Sequence, residues 1–335
     1  MIDLSLLRDE SSAAETARLR SALHDSGFLY LTGHGVDPGV VDGVFAAARD
    51  FFALPIEERL AIENVNSPHF RGYTRLGNEY TQGRSDQRDQ LDVGPEREAL
   101  AVRPGDAPYL RMVGPNQWPA ALPSLRVAVL AWFEEARRVS IELLRALAVA
   151  PGQRPDWFDP WVAGDTHDHL KAVRYPGSTH RTGDQGVGAH KDYGWMALLL
   201  QDDLGGLQVQ SAEGPWLDAT PIPGTFVVNI GEMLEVATNG YLRATVHRVV
   251  SPDTDLDRLS IPFFLGPRLD AEVPRIELPA DLAREARGVE DDPANPLLPV
   301  YGDNALKGWL RAHPAVAERW WSDVLSTSRV DGSAP

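Results

Sequence analysis

Short runs of strand length, separated by turn signals, fill most of the second half of the chain. These runs, rich in apolar and β-branched residues, cover 196–201, 207–210, 225–230, 245–250 and 259–265. Turn-forming pairs such as Gly205-Gly206 and Asn239-Gly240 lie between them. Several short strands with this punctuation favour a sandwich or barrel over a parallel α/β sheet.

The first half of the chain has the periodicity of helices. Asp37 and Pro38 place a capping carboxylate before a first-turn proline, which predicts a helix that begins there. Apolar residues recur at helical spacing over 125–147, and Pro151 prevents this long helix from continuing. Helices followed by strands indicate an α+β fold, with helices packed on a β core.

The composition limits the chemistry that is available. The chain has 335 residues and no cysteine, which excludes disulfides, zinc–thiolate sites, iron–sulfur clusters and thiol nucleophiles. His, Asp and Glu must therefore carry any metal chemistry. The net charge of −16 argues against nucleic acid as a partner, because phosphate binding needs a basic surface that the sequence lacks.

A membrane partner is not expected either. The start of the chain has no basic segment followed by an apolar run, and no stretch approaches the roughly 18 apolar residues that a spanning helix needs. Hydrophobic residues make up 43% of the chain and charged residues 24%, which is typical of globular proteins. We therefore expect a cytoplasmic protein.

Three polar residues in the strand region form a pattern typical of a metal site. His190 and Asp192 are two positions apart, so their side chains share one face of a strand. His247 lies in another run with strand-like alternation. Two imidazoles and one carboxylate, with the other metal positions open, form the ligand set of non-haem Fe(II) oxygenases. His190, Asp192 and His247 are therefore candidate ligands of one Fe(II).

Arg258 and Ser260 form a second pair that shares one strand face. The planar fork of an arginine stays charged when partly desolvated and suits a carboxylate, so the pair predicts an organic acid bound beside the metal. Each of these motifs alone is common in loops and strand edges; their joint order and strand context favour a site. His167 and His169 form a rival alternating pair, but they lack a third ligand at suitable spacing, and we interpret them as pocket lining or loop.

With these motifs the chain resembles the Fe(II)/2-oxoglutarate-dependent oxygenases of the isopenicillin N synthase-like superfamily, and bacterial members such as the ethylene-forming enzyme look nearest. The matching segments are 27–36, 51–55, 71–73, 114–119, 174–176, 188–194, 200–209, 247–249 and 258–264. They cover nearly the whole chain up to about residue 270. The resemblance implies a distorted jelly-roll, the double-stranded β-helix, with iron at one mouth of the barrel.

The resemblance also implies a single oxygenase domain over 1–335. It would comprise a mainly helical N-terminal region (1–165), a jelly-roll core with the metal site (166–275) and a C-terminal helical cover (276–335). Its cofactors would be Fe(II), 2-oxoglutarate as cosubstrate and dioxygen.

The same resemblance assigns residues to the cosubstrate. The far carboxylate of 2-oxoglutarate would meet Arg258 and Ser260, and Tyr175 would also contact the cosubstrate. Lys171 shares a strand face with Tyr175, so it would add positive charge to the same pocket.

The substrate pocket is assigned by similarity to the ethylene-forming enzyme. Glu79, Thr81 and Tyr193 match positions that hold a cationic amino-acid substrate there. Arg71 and Trp195, together with the C-terminal helices, are the next candidates. The resemblance implies oxidation, with hydroxylation preferred, of a small polar metabolite such as an amino acid or natural-product intermediate. We expect a monomer or weak homodimer.

Two other interpretations stay open. One is an oxidase like isopenicillin N synthase, which uses the same iron without 2-oxoglutarate; there Arg258 and Ser260 would hold the carboxylate of the substrate itself. The other is a non-redox protein on a β-barrel, either a metal-dependent isomerase or a ligand-binding module. Consumption of 2-oxoglutarate with formation of succinate separates the oxygenase from both.

Overall fold

The computed structural model describes residues 1–8, 13–177, 185–251, 254–289 and 295–330. The α-helices in these ranges are α1 (Leu4–Leu7), α2 (Ala13–Asp25), α3 (Pro38–Ala53), α4 (Ile56–Leu60), α5 (Pro123–Val149), α6 (Asp159–Val162), α7 (Glu232–Ala237), α8 (Ala280–Ala283), α9 (Tyr301–Ala312), α10 (Pro314–Trp320) and α11 (Ser322–Val330). The strands are β1 (Ile2–Asp3), β2 (Phe28–Thr32), β3 (Gly72–Thr74), β4 (Tyr80–Thr81), β5 (Arg84–Ser85), β6 (Asp89–Val93), β7 (His169–Tyr175), β8 (Gln185–His190), β9 (Met196–Gln201), β10 (Leu207–Gln210), β11 (Trp216–Asp218), β12 (Phe226–Ile230), β13 (His247–Val250) and β14 (Arg258–Leu265).

Two sheets face each other and form the barrel. The large sheet has eight strands in the order β1-β2-β12-β9-β14-β7-β6-β3, and the small sheet has four in the order β11-β10-β13-β8. Apolar side chains from both sheets meet between them in a separate small cluster. Its buried members are Val173, Tyr175, Val187, Leu207, Val227 and Val249. The expected α+β jelly-roll is confirmed.

Helix α5 supports the outer face of the large sheet. Its aromatic residues Trp132 and Phe133 are buried. The ring of Phe133 meets that of Phe263 in β14 edge-on at 5.1 Å, and Trp132 meets Phe226 in β12 at 5.3 Å. Such edge-on aromatic pairs contribute stability beyond that of the apolar area they bury. Helix α5 therefore holds β12 and β14 in place from the outer face of the large sheet.

The N-terminal region contributes strands as well as helices, because β1, β2, β3 and β6 all belong to the large sheet. Strand β6 was not predicted, since Asp89, Gln90 and Asp92 give it the composition of a loop. All five of its residues are nevertheless buried. Ion pairs make this possible: Asp89 pairs with Arg59 and Arg174, and Asp92 with a lysine of β7.

The C-terminal helices cover one end of the barrel. Phe70 lies between Trp309 of α9 and Trp321, with ring centres at 5.4 and 5.6 Å and nearly parallel planes. The indole N–H of Trp321 donates to the Pro68 carbonyl, and that of Trp320 to the Val65 carbonyl. The cover is therefore fastened to the loop that leads into β3. None of the helices in the described ranges is long and apolar enough to cross a membrane.

Candidate metal centre and cosubstrate pocket

The three candidate metal ligands meet at the end of the small sheet. His190 ends β8 and His247 begins β13, and the antiparallel register pairs them directly. Their ring centres are 4.3 Å apart. Asp192 follows β8, with one carboxylate oxygen 3.6 Å from His190 Nε2 and the other 3.8 Å from His247 Nε2. One donor atom from each residue lies within 4.8 Å of the others, which is close enough for one ion.

Hydrogen bonds orient each of these side chains. His190 Nδ1 lies 2.8 Å from the Gly188 carbonyl oxygen, and His247 Nδ1 lies 3.1 Å from the Thr245 carbonyl oxygen. A carbonyl accepts only, so each Nδ1 carries the proton and each Nε2 presents its lone pair to the site. Asn229 of β12 donates to Asp192 Oδ2 at 2.7 Å. These contacts are the outer-shell support that metal ligands commonly have.

The charges at the centre suit a divalent cation. Burial would raise the pKa of Asp192, but the facing His247 and the contact with His190 outweigh it and hold this pKa well below its usual range. Burial lowers the pKa of His247 to about 4. Burial also acts to lower the pKa of His190, but its contact with Asp192 outweighs this and raises it. An ionised carboxylate beside a neutral imidazole is the state that metal binding requires.

The rival histidine pair does not form a comparable cluster. His169 lies in β7, and its Nε2 is 3.1 Å from a carboxylate oxygen of Asp92. His167 is buried just before β7. Within the described ranges, His190, Asp192 and His247 are the single group of three or more such residues that could hold an ion. The donor set of two nitrogens and one oxygen therefore fits Fe(II) at one place.

Arg258 presents a buried charge inside the barrel. Its side chain is completely buried in β14, and its guanidinium carbon lies 4.8 Å from the ring centre of Tyr175 in the neighbouring strand. Nη2 donates to Gln201 Oε1 at 3.2 Å, whereas Nε and Nη1 have no acceptor among the residues that the structure describes. Ser260 is also buried, two positions along the same strand. Since a buried guanidinium needs an anion, these donors fit a carboxylate.

Lys171 is engaged by two carboxylates. Its Nζ lies 2.8 Å from Glu79 Oε1 and 3.1 Å from Asp92 Oδ1. Arg88 Nη2 lies 3.2 Å from Glu79 Oε2, although that oxygen accepts no hydrogen bond of good geometry within the described part of the chain. Sequence reasoning missed Arg88, because an arginine in a polar loop carries no signal of burial. Glu79 therefore lies in a buried ionic cluster, with one oxygen beside Lys171 and the other beside Arg88.

Thr81 packs directly against the strand that carries His190. Its hydroxyl donates to Asp86 Oδ2 at 2.7 Å, and Asp86 Oδ1 accepts from the Gly188 backbone N–H at 3.1 Å. A Cβ on Gly188 would lie 2.8 Å from Thr81 Cγ2, so only glycine allows this approach. Asp86 was also missed. Asn229 had a signal, since it is the one polar residue in the apolar run of β12.

Of the remaining candidates, Tyr193 contacts the C-terminal cover, whereas Trp195 packs against an aromatic residue before α6. The ring of Tyr193, directly after Asp192, lies 5.9 Å from that of Tyr301 in α9. A Cβ on Gly308 would lie 3.2 Å from this Tyr193 ring. Trp195 is completely buried and packs edge-on against Phe158 at 5.2 Å.

The Glu79 cluster makes a testable contribution to stability. Burial would raise the Glu79 pKa, but Arg88 and Lys171 outweigh it and lower the pKa from 4.5 to about 2. A carboxyl group whose pKa is lower in the folded than in the unfolded protein stabilises the fold at pH values above its unfolded-state pKa. This stabilisation is lost as the pH falls through its folded-state pKa. We expect Glu79→Gln to lower the Tm of the metal-free protein by roughly 5 to 10 °C at pH 7, because two buried cations lose their partner.

The pH series is measured by calorimetry on the metal-free protein. The Tm difference between wild type and Glu79→Gln should shrink as the pH falls from 4.5 toward about 2. Glu98→Gln, at an exposed glutamate, is the matched control and should leave Tm unchanged throughout. A Glu79→Gln protein that is equally stable at neutral pH would show that the cluster contributes nothing.

The comparisons with known proteins agree with this geometry. Residues 1–121 match the family model described as non-haem dioxygenase in morphine synthesis N-terminal, and residues 167–267 match the 2OG-Fe(II) oxygenase superfamily. The chain is 36% identical over 348 residues to the 2-oxoglutarate-dependent dioxygenase frbJ of Dothideomycetidae sp. (strain 11243), covering 98% of this chain and 94% of the relative. It is 34% identical over 281 residues to the homoarginine-6-hydroxylase 2-ODD-C23.1 of Arabidopsis thaliana, covering 82% and 83%.

A solved structure is similar over the same extent. The crystal structure of a full-length Neurospora crassa protein in complex with alpha-KG and 5-formyluracil matches with a TM-score of 0.73 and 28% identity, covering 92% of this chain and 94% of that one. The chain therefore belongs to the Fe(II)/2-oxoglutarate-dependent oxygenases. It is a 2-oxoglutarate-dependent dioxygenase that uses Fe(II), 2-oxoglutarate and dioxygen and acts on a small molecule, and the family expected from the motifs is confirmed.

Proposed function

We propose that His190, Asp192 and His247 hold the Fe(II) of this dioxygenase. The observation that carries the proposal is the convergence of their three donor atoms within 4.8 Å. Hydrogen bonds at Nδ1 leave both Nε2 atoms free for the metal, and Asn229 holds the carboxylate in place. Two imidazoles and one carboxylate leave further positions open for a chelating acid and for dioxygen.

We further propose that Arg258 and Ser260 hold the far carboxylate of 2-oxoglutarate. When bound, the iron and the 2-oxo acid supply the oxidising chemistry. Arg258 supplies a buried positive charge, and Tyr175 supports its guanidinium from one side. The apolar cluster between the two sheets keeps this end of the pocket dry, which strengthens the charge pair. Lys171 lies in β7 and would add positive electrostatic potential to the same pocket. It would not contact the cosubstrate directly, because two carboxylates already bind its ammonium group.

For the substrate we propose hydroxylation of a small polar metabolite, an amino acid or a natural-product intermediate. The names of relatives support this, since one is a homoarginine-6-hydroxylase. Glu79 contributes a buried carboxylate, Thr81 lies against the His190 strand, and Tyr193 follows a proposed ligand. Arg71 is a further proposed contact. Contact between Trp195 and substrate stays a prediction.

We also propose that residues 1–335 act as one oxygenase domain, as a monomer or weak homodimer in the cytoplasm. The large sheet supports a single domain, because its strands come from both the N-terminal region and the jelly-roll core. The net charge of −16 supports the absence of a nucleic-acid partner. No membrane partner is proposed.

The proposed function is tested by product analysis. Purified protein with Fe(II), 2-oxoglutarate and dioxygen is incubated with a panel of amino acids, homoarginine included, and succinate and oxidised product are measured by mass spectrometry. We expect equal amounts of succinate and of a product that has gained one oxygen atom. His247→Ala is the control and should form neither. Product formation without any 2-oxo acid would favour the isopenicillin N synthase-like oxidase instead.

A further inference from the structure

A second buried guanidinium lies outside the cosubstrate pocket. Arg71 precedes β3 and is only 2% exposed. Nε and Nη1 of its side chain have no hydrogen-bond acceptor within the described part of the chain, and no carboxylate in that part lies within ion-pair distance. The guanidinium packs flat against Gly94, where a Cβ would lie 2.6 Å from its central carbon. A buried charge without a partner is expensive in free energy, so its retention points to a ligand.

The carboxylate that acts most strongly on Arg71, that of Asp92, cannot serve as its partner. Asp92 attracts Arg71 over a longer distance, but both of its oxygens are already occupied. Oδ1 receives Lys171 and His169, each at 3.1 Å. Oδ2 accepts from Gln90 at 2.8 Å and from a threonine of β3. The other buried cations of this region, Lys171 and Arg88, each pair with carboxylates. Among the described residues, Arg71 has no ion-pair partner.

Arg71 lies within electrostatic range of residues next to the metal centre and in the C-terminal cover. Its electrostatic neighbours include Tyr193 and Tyr301. Tyr193 directly follows Asp192, and Tyr301 begins α9 of the C-terminal cover. The charge of Arg71 therefore acts both on the residue that follows a proposed iron ligand and on the cover. Burial lowers its pKa to about 10, so the guanidinium stays charged at neutral pH and would confront a ligand as a full cation.

We propose that the substrate carries a carboxylate, and that this carboxylate binds to Arg71 and orients the carbon to be oxidised toward the iron. The inference rests on the proposed function and deepens it by naming the substrate class. An arginine fork matches the planar geometry of a carboxylate, and a dry wall makes the pairing strong and directional. Arg71 then decides specificity, because a neutral analogue would leave the guanidinium unsatisfied again.

The first test uses stability. Arg71→Met keeps most of the aliphatic stem and removes the unpaired charge, so we expect the Tm of the unliganded protein to rise by about 2 to 5 °C. Arg88→Met is the matched control: this arginine is also buried but pairs with Glu79 and Asp86, so its loss should lower the Tm. A fall in Tm for Arg71→Met like that of Arg88→Met would show that Arg71 holds the structure, and would overturn the proposal.

The second test uses simple anions. Protein is loaded with Fe(II) and 2-oxoglutarate in the absence of dioxygen, so that Arg258 is occupied, and its Tm is measured with acetate, acetamide or inorganic phosphate. We expect acetate to stabilise the wild type, acetamide to have no effect, and acetate to lose its effect in Arg71→Met. Equal shifts with acetate and acetamide, or equal acetate shifts in wild type and Arg71→Met, would overturn the proposal. A larger effect of phosphate would overturn the choice of a carboxylate.

The third test measures how much Arg71 contributes to the affinity for the true substrate. Once the product screen identifies a substrate, its carboxamide serves as the neutral match. Arg71→Met should weaken substrate binding by at least about 30-fold and leave the carboxamide unaffected. Iron content and 2-oxoglutarate affinity are measured on the same samples. If the proposed function is wrong, the wild-type protein will retain neither iron nor affinity for 2-oxoglutarate. If only this inference is wrong, the protein will retain both, but Arg71→Met will bind the substrate as tightly as wild type.

Discussion

Replacement of any one of His190, Asp192 and His247 with alanine is expected to abolish both iron retention and turnover. Each residue supplies one of the three protein donor atoms, and the convergence within 4.8 Å leaves no substitute nearby in the described part of the chain. The loss should exceed the roughly 10- to 100-fold that follows removal of a residue that only orients a metal ligand. Asn229→Ala, which removes such an orienting contact with Asp192, should fall within that smaller range.

The fold should survive these replacements. The two sheets pack through apolar clusters and ion pairs that do not involve the metal, unlike a small domain that folds around its ion. Iron is measured by elemental analysis and the fold by circular dichroism and calorimetry. His34→Ala, at a histidine that contacts the Gly224 carbonyl and Phe226 instead, is the matched control and should keep iron and activity. Stoichiometric iron in the double variant His190→Ala/His247→Ala would refute the assignment.

The strands of the barrel could be predicted from sequence because their burial follows a short-range pattern. The predicted runs at 196–201 and 207–210 coincide with β9 and β10, and the run at 259–265 begins one residue after β14 does. Apolar alternation bounded by glycine turns is local information, and it is enough to define a strand. The sequence also pointed to His190, Asp192 and His247, whose donor atoms lie within 4.8 Å of one another in the structure, and their role as iron ligands stays a proposal. Asp192 lies just past the end of β8, so it does not share a strand face with His190 as the alternation predicted.

The buried ionic cluster could not be predicted in the same way. A charged residue in a sequence is normally exposed, so Asp86, Arg88 and Asp92 gave no sign that they are buried. Arg88 pairs with Glu79 and Asp86, and Lys171, which is distant in sequence, pairs with Glu79 and Asp92 only after the sheet forms. The missed strand β6 has the same cause. Long-range charge pairing is a property of the fold, and one sequence alone does not reveal it.

Arg258→Ala is expected to raise the apparent KM for 2-oxoglutarate far more than Ser260→Ala does. The far carboxylate would lose its buried arginine partner, which costs roughly 2 to 5 kcal/mol, or about 30-fold to several-thousand-fold in affinity. In the proposed site Ser260 would donate a single neutral hydrogen bond, worth about 0.5 to 1.5 kcal/mol, so its loss should be modest. Arg258→Lys should be intermediate, because a point charge remains but the planar fork is lost.

The control for this series is Arg248→Ala, at another arginine of the barrel strands. Arg248 lies in β13, donates to Gln208 and stacks on Trp216 at 4.1 Å, so its guanidinium is already satisfied. Its removal should leave saturation with 2-oxoglutarate unchanged. Decarboxylation of 2-oxoglutarate is followed over a concentration series with iron content held equal. If Arg258→Ala saturates like wild type, the two free nitrogens of Arg258 serve the carboxylate of another ligand, and the site of 2-oxoglutarate must be sought elsewhere in the barrel.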